Sequence, residues 1–390
     1  MAKSRSPLAL IFVTVFLDLV GFGIVIPVLP LYAERFGASP LVIGLLLGVY
    51  SAMQCLFAPI LGKISDRVGR RPVLLLSIIG TSMGFLIMGL AHTLALLFVG
   101  RIIDGITGGN ISTAQAYIAD VTSPDQRSRG MGLIGAAFGL GFIFGPAIGG
   151  ILGHWSLAAP LLFAAVLAAT NAVAVYLFVP VSLPVERRGQ ARRQSSVAQI
   201  FAASHGRQLA VIIAACFVTT MAFSMLTATY PLFTERRFGY GAIQNGYMFA
   251  MQGIIGAILQ GVLLGWLVRA SGDKRLAAVG TIFLIVSMFL LPMSATVAAL
   301  FLATAGIAIG HGLVAAPLNS LASQSADATA QGRVLGIMQS AASFARIVGP
   351  VLGGWLLNHD AIHLAEHFGR TPYWTSGAVT LVALGLVAVL

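Results

Sequence analysis

The stretch Gly62-Lys63-Ile64-Ser65-Asp66-Arg67-Val68-Gly69-Arg70-Arg71-Pro72 sets four cations and one carboxylate between two apolar runs. Each run is long enough to cross a bilayer, so the charged segment between them is a short loop. Glycines at both ends let two helices approach and turn, and Pro72 suits the first turn of the next helix, where a missing N–H costs nothing. The positive-inside rule puts such a basic loop in the cytoplasm. The stretch is a tight charged hinge between two membrane helices.

Composition extends that reading to the whole chain. Of its 390 residues, 58% are hydrophobic and only 9% charged, against about 25% charged in a soluble domain. A soluble fold has too little polar surface to cover such a core, so the apolar surplus faces lipid. The fold class is an all-α membrane protein. The net charge of +11 raises nucleic acid as a partner, but most of the cations sit in short loops, where orientation explains them; nucleic-acid binding is excluded. Cys55 and Cys216 fall within apolar runs and read as small packing residues. Lys3 and Arg5 precede an apolar run that continues to Leu31 without a small-residue cleavage site and carries Asp18. It is expected to be a retained first span rather than a signal peptide.

At about 20 residues per span, helices are predicted near 8–31, 41–61, 73–91, 95–118, 131–153 and 158–179, then near 209–233, 243–266, 277–294, 298–321, 334–357 and 373–390. Twelve helices in two six-helix bundles are expected, residues 1–180 and 209–390, joined by a cytoplasmic linker over 181–208. The loops on one side, with the N-terminal tail, collect most of the Lys and Arg; those on the other hold only Arg35, Arg236, Arg237 and Arg370. Both termini are therefore expected in the cytoplasm. The halves also repeat. Pro30-Leu-Tyr-Ala-Glu34-Arg-Phe-Gly37 returns as Pro231-Leu-Phe-Thr-Glu235-Arg-Arg-Phe-Gly239, and Gly145-Pro-Ala-Ile-Gly-Gly150 returns as Gly349-Pro-Val-Leu-Gly-Gly354. Two parallel repeats imply a pseudo-two-fold axis along the membrane normal and a binding site near the midplane.

In the fifth span Gly141, Gly145, Gly149 and Gly153 recur every fourth residue, with Gly132 upstream and Pro146 inserted. The stripe bares one face of a helix for close approach, and the proline bends it. Two patterns carry a family resemblance. Gly-x-x-x-Asp-Arg-x-Gly-Arg-Arg over 62–71 resembles the signature loop of the major facilitator superfamily, and its continuation through Gly80 looks like the tetracycline-efflux branch. Gly141-x-x-x-Gly145-Pro-x-x-Gly149-Gly150, with Gly132, is similar to the motif of the family's drug:proton antiporters. The resemblance implies a major facilitator fold, alternating access and efflux. It marks Gly62, Asp66, Arg67, Gly69, Arg70 and Arg71 as a gating loop, with Arg70 expected to pair with Asp120 at the end of span four. It also marks Gly132, Gly141, Gly145, Pro146, Gly149 and Gly150 as the antiporter motif.

Ionisable residues within spans are costly and so are functional candidates. Asp18 lies about 2 Å and Asp104 about 4 Å from the centres of their spans by helical rise. Arg101 shares a helical face with Asp104. Burial favours the neutral form of a carboxyl and a nearby cation favours the ionised form, which makes a proton carrier responsive to conformation. Asp18 is expected to carry the proton and Arg101 to modulate it, with Asp104 either a partner in this or one half of a static pair. The resemblance supports Asp18 and the Gly100-Arg101-x-x-x-Gly105 pattern, but Gly84, Gly256 and Leu284 stand where tetracycline-efflux proteins have two carboxylates and a histidine. Tetracycline as substrate is not carried over. Gln54, Asn110, Met221, Met225, Tyr230, Tyr247, Gln252, His311 and Arg346 are candidates for the substrate cavity, the methionines and aromatics as adaptable walls. His311 reads equally as a packing residue, and Arg346 must find an anion, a carbonyl cluster or water.

His359, His363, Glu366 and His367 have the look of metal ligands, but no glutamate completes a protease motif and a solvated loop is preferred. No Walker loop, nucleophile and base pair, or cofactor site appears, so an enzyme and direct ATP drive are both set aside. The expectation is a monomeric bacterial inner-membrane transporter, in contact with lipid, that couples inward proton movement to export of amphipathic drug-like compounds. The alternative is a proton-linked transporter of an anionic metabolite or lipid, suggested by Arg346.

Overall fold

The computed structural model describes residues 7–122, 124–180, 206–325, 331–361 and 367–390. These residues form helices α1 (Pro7–Arg35), α2 (Pro40–Val68), α3 (Arg70–Gly89), α4 (Leu94–Thr107), α5 (Asn110–Val121), α6 (Pro124–Trp155) and α7 (Ala159–Phe178). After the linker come α8 (Gly206–Phe238), α9 (Ala242–Ile258), α10 (Leu264–Ser271), α11 (Asp273–Leu290), α12 (Val297–Gln324), α13 (Gln331–Asp360) and α14 (Arg370–Val389). Among the described residues there is no strand. Twelve helical segments there are long and apolar enough to cross a membrane.

The helix ends follow local chemistry. Pro40, Pro124 and Pro160 stand in first turns, where proline forfeits no hydrogen bond. Thr93 and Thr296 cap α4 and α12 by accepting from the N–H groups of Leu96 and Ala299, which satisfies one of the orphan donors of a helix start. The repeated Pro-to-Gly segments end α1 and α8 alike: Gly37 and Gly239 both take positive φ, and each donates its N–H to the carbonyl of Glu34 or Glu235 at 2.9 Å.

Two predicted spans differ from a single helix. Span four is α4 followed by α5, parted at Gly108-Gly109, because adjacent glycines have the weakest hold on helical geometry short of proline. Span eight runs from Ala242 to Ser271, beyond the predicted end at 266, and its α9 and α10 are joined by a π turn at Leu259–Leu263. Leu259 in that turn packs over Gly312.

The chain divides into two compact units. The first takes the described residues of Met1–Gly37, Val49–Ala191 and Gly241–Ala250; the second those of Ala38–Gly48, Arg192–Tyr240 and Met251–Leu390. In the first unit a core gathers Ile11, Val15 and Leu19 of α1, Leu74 and Ile78 of α3, Ala114 and Tyr117 of α5, and Ala172 and Val175 of α7. Helix α3 shows the membrane pattern plainly. Its inner face is buried at Leu74, Ile78 and Phe85, while Leu76, Ile79, Met83 and Leu86 are exposed on the other side. A helix apolar on both faces is at home between a protein core and lipid.

Candidate functional site

The first unit holds a cluster of polar groups at the depth of the break in span four. Arg101 and Asp104 project from α4 and are 3% and 4% exposed, joined by an ion pair at 3.3 Å. The guanidinium lies over the Tyr50 ring of α2, 4.3 Å from its centroid. What lets these charges be enclosed is the glycine framing in the sequence. A methyl at Gly100 would lie 2.7 Å from the Gly84 carbonyl, and one at Gly105 would lie 2.7 Å from that of Tyr50. The same packing accounts for Gly84, where efflux relatives were expected to carry a carboxylate: a side chain there would strike Gly100 O at 2.8 Å.

Asp18 is held differently. Asn110, the first residue of α5, donates its Nδ2 to Asp18 Oδ1 at 2.5 Å. Among the described residues no cation lies within ion-pair distance of Asp18. Asp18 is partly buried, whereas Arg101 and Asp104 are sealed. At the break itself the Gly108 carbonyl accepts from Gln54 Nε2 at 2.9 Å, and Gln54 also donates to the Tyr50 hydroxyl at 3.1 Å. Broken membrane helices expose backbone polar groups only where these find partners or line a cavity. Gln54 and Asn110 were expected as cavity residues. Tyr50 and the Gly108 carbonyl were not; the signal for them was the Gly108-Gly109 doublet.

The stretch expected as a loop after residue 61 is instead helical, α2 running through Val68 and α3 starting at Arg70, so the turn narrows to Gly69. Gly69 takes φ 104° between α2 and α3, a conformation open to glycine and strained for other residues. Arg70 then bridges two carboxylates, donating to Asp66 Oδ1 at 2.5 Å and to Asp120 Oδ2 at 2.9 Å. Arg71 donates to the Tyr176 carbonyl and sits over its ring, while Arg67 is exposed and Gly62 has open space where a side chain would go. The second unit holds a counterpart of opposite sign that the sequence reading missed. Gly272 takes φ 78° before α11, and Asp273, the next residue, accepts from Ser320 Oγ at 2.8 Å and Gln324 Nε2 at 3.0 Å.

The glycine stripe of α6 packs on α1 inside the first unit. Methyl groups added at Gly141, Gly145 and Gly149 would come within 2.6–2.8 Å of Leu19, Gly23 with the Val20 carbonyl, and Ile24 O. Gly150 meets the first turns of α9 at Ala242 and Gly246. Gly132 has nothing within 4 Å, so it takes no part in this packing. Pro146 lies inside α6 and, through its carbonyl, against Gly246. The repeat in the second unit packs in the same way, Gly349 on Met221 and Gly353 on Met225.

The second unit corrects part of the cavity list. Met225 and Tyr230 are 0% exposed; Ser376 donates to the Met225 sulfur, and the Tyr230 and Thr304 hydroxyls bond at 2.9 Å. They are core residues with no surface to offer a ligand, because α8 turns that face inward on α14 and α12. Met221 is nearly sealed as well, Gln252 is partly buried, and Tyr247, in the first unit, is exposed. His311 stacks on Phe223 at 3.9 Å between ring centroids. Arg346 donates to Ser343 Oγ at 3.0 Å. His359 is in α13, edge-on to Trp355; His363 and Glu366 lie outside the described residues. Among those described, no group of three or more His, Cys, Asp or Glu could hold a metal.

A family model described as Major Facilitator Superfamily matches residues 11–350 and 261–390. The class D tetracycline resistance protein of Salmonella ordonez is 31% identical over 99% of this chain and 95% of its own. The class C protein of Escherichia coli is 35% identical over 90% and 89%, and multidrug resistance protein 2 of Bacillus subtilis (strain 168) is 28% identical over 100% and 97%. Among solved structures, the human organic anion transporter MFSD10 (TETRAN) superposes with a TM-score of 0.74 at 24% identity, covering 99% of this chain and 100% of that one. The nucleoside transporter NupG gives 0.78 at 13% identity, covering 99% of each chain. These likenesses, with the twelve spans and the hinge at Gly62–Pro72, make the protein a multi-pass membrane transporter of small molecules and not an enzyme: the chain belongs to the Major Facilitator Superfamily.

Proposed function

We propose that this transporter exports amphipathic drug-like compounds by alternating access, driven by protons moving inward. The reading takes it to be a monomer in a bacterial inner membrane, surrounded by lipid, with both termini cytoplasmic. Relatives named for tetracycline and multidrug resistance support the substrate class, and the cation bias of the loops supports the orientation. One observation carries the coupling: Asp18 is a mid-span carboxyl that is reachable, held by a neutral amide and free of an ion pair. A carrier must gain and lose its proton, and a carboxyl fixed in a buried ion pair has to break that pair to do so. Asp104 is in that second position, sealed against Arg101, and is read as the static neutraliser of a buried charge. Arg346 donates to Ser343 Oγ, a neutral partner that does not cancel its charge, so an anionic metabolite or lipid stays the alternative substrate.

The test is Asp18→Asn in inverted vesicles, with ethidium and tetracycline as probes. Uptake driven by a pH gradient is expected to be lost while energy-independent exchange of the same probe persists, because the amide keeps the shape of the side chain and cannot titrate. Full gradient-driven uptake by the mutant would take the carrier role away from Asp18.

A further inference from the structure

Hydroxyls buried in the helices of this protein have a settled habit. Thr14, Thr229, Thr281, Thr304 and Thr380 each donate to the carbonyl four residues back. Thr113 and Ser77 break it. Each is 1% exposed or less, and neither hydroxyl has a hydrogen-bond partner among the protein's groups. For Thr113 the reason is visible: the Gly109 carbonyl it would use already accepts from the Ser112 hydroxyl and the Thr113 N–H, both at 3.0 Å. Two amide oxygens nearby are in the same condition. Asn171 donates its Nδ2 to the Thr14 carbonyl at 3.1 Å and leaves Oδ1 unpaired; Asn110 donates to Asp18 and leaves its Oδ1 unpaired.

Three of these groups share one layer, and Asn110 lies about one turn deeper. Ser77 is on the face of α3 that carries Leu74 and Ile78, Asn110 and Thr113 on the face of α5 that carries Ala114 and Tyr117, and Asn171 on the face of α7 that carries Ala172 and Val175, all of which meet in one buried cluster. Helices α1 and α3 start at the end of the unit where α5 and α7 finish. Counting helical rise from that end, Thr14, Ser77 and Asn171 lie about 10 Å inside, Thr113 about 12 Å and Asn110 about 16 Å, level with Asp18. Asp18 is one turn deeper on α1, touching the layer through Asn110. An unpaired buried polar group costs about 1–3 kcal/mol, and three in one layer with Asn110 a turn deeper beside Asp18 give water the several polar partners it needs.

We propose that Asn110, Thr113, Ser77 and Asn171 hold a small buried water cluster, and that the proton on Asp18 passes through it to and from the end of the unit where α1 begins. The inference rests on Asp18 being the carrier. In a transfer the O–H bond of Asp18 breaks as an O–H bond forms to the adjoining water, and one proton leaves the far side of the layer for bulk solvent. The hydroxyls exchange donor and acceptor roles in passing, and the amide oxygens only accept. Other titratable groups around Asp18 are otherwise engaged: Asp104 with Arg101 on α4, Tyr50 on α2 under that guanidinium, and Tyr117 on α5 bonded to the Pro180 carbonyl. The stretch of α6 that packs on α1, Gly141 to Gly149, and helix α7 carry no carboxylate, histidine or cation.

The experiment needs no transport substrate. The full-length protein in lipid is subjected to a pH jump, and protonation of Asp18 is followed by its carboxyl C=O stretch, identified as the band missing from Asp18→Asn. Thr113→Val, nearly isosteric, and the double variant Thr113→Val with Ser77→Ala are expected to slow that protonation at least tenfold, with Thr113→Ser restoring the rate. Folding is checked by melting temperature, and if the double variant does not fold, Thr113→Val against Thr113→Ser decides alone. An unchanged rate in a folded Thr113→Val variant overturns the proposal. The two readings fail separately: gradient-driven export by Asp18→Asn would remove the carrier assignment, while slowed protonation in Thr113→Val would still establish the route.

Discussion

A methyl group on the stripe of α6 is the sharpest perturbation the packing offers. In Gly145→Ala the new Cβ would fall 2.7 Å from Gly23 Cα and 2.7 Å from the Val20 carbonyl oxygen. Both neighbours are backbone, so no side chain can swing away. To reach ordinary contact, α1 and α6 must part by about 0.7 Å at their closest crossing, an overpacking strain that costs typically 1–3 kcal/mol. Asp18 is on α1 just over a turn from Gly23, and its 2.5 Å bond to Asn110 reaches across to α5, so the same displacement loosens the carrier. Gly132→Ala on the same helix is the control: its Cβ meets nothing within 4 Å, and exchanging glycine for alanine in a helix is worth about 0.5–1 kcal/mol in the stabilising direction. Thermal unfolding of the two purified variants in one detergent, beside gradient-driven ethidium uptake, reads both effects. Gly145→Ala is expected to melt lower and transport more slowly, and Gly132→Ala to match or exceed the parent in stability. Equal behaviour of the two would refute the view that the antiporter motif is a close-packing seam at Gly145 and open at Gly132.

Asp104→Asn leaves the Arg101 charge buried with only the Tyr50 ring beneath it, a loss of about 3–5 kcal/mol for breaking a buried pair from one side; adding Arg101→Gln is expected to recover much of the melting temperature, and no recovery would show that the pair is not the source. Tyr230→Phe removes a buried hydroxyl whose partner Thr304 also bonds the Leu300 carbonyl, so it is expected to cost about 1 kcal/mol and leave the exported-compound profile unchanged, a changed profile returning Tyr230 to the cavity wall. Gln54→Ala releases the Gly108 carbonyl and is expected to raise hydrogen exchange at Asn110 and Ile111 without lowering exchange protection in α3, as read by mass spectrometry; uniform loosening of the unit would argue against a local role.

Much of this protein was legible in its sequence because the bilayer allows few solutions. Any run of about 20 apolar residues must be a helix that satisfies its own backbone, so span number follows from one dimension, while the glycine stripe shows in its spacing of four and the like ends of α1 and α8 in the repeated Pro-to-Gly segment. So does the proximity of Arg101 to Asp104, one turn apart. Tertiary structure decided whatever depends on which face of a span looks inward. Met225 and Tyr230 are chemically suited to a drug cavity and are sealed in a core instead, since a span apolar on every face gives no sequence sign of its orientation. Asp18 looked solitary on its own helix and found Asn110, far along the chain, because α1 and α5 meet there. The unpaired hydroxyls of Thr113 and Ser77 look in sequence like any others. Their difference arises where Ser112 takes the carbonyl Thr113 would have used, and where four helices bring their polar residues to one depth.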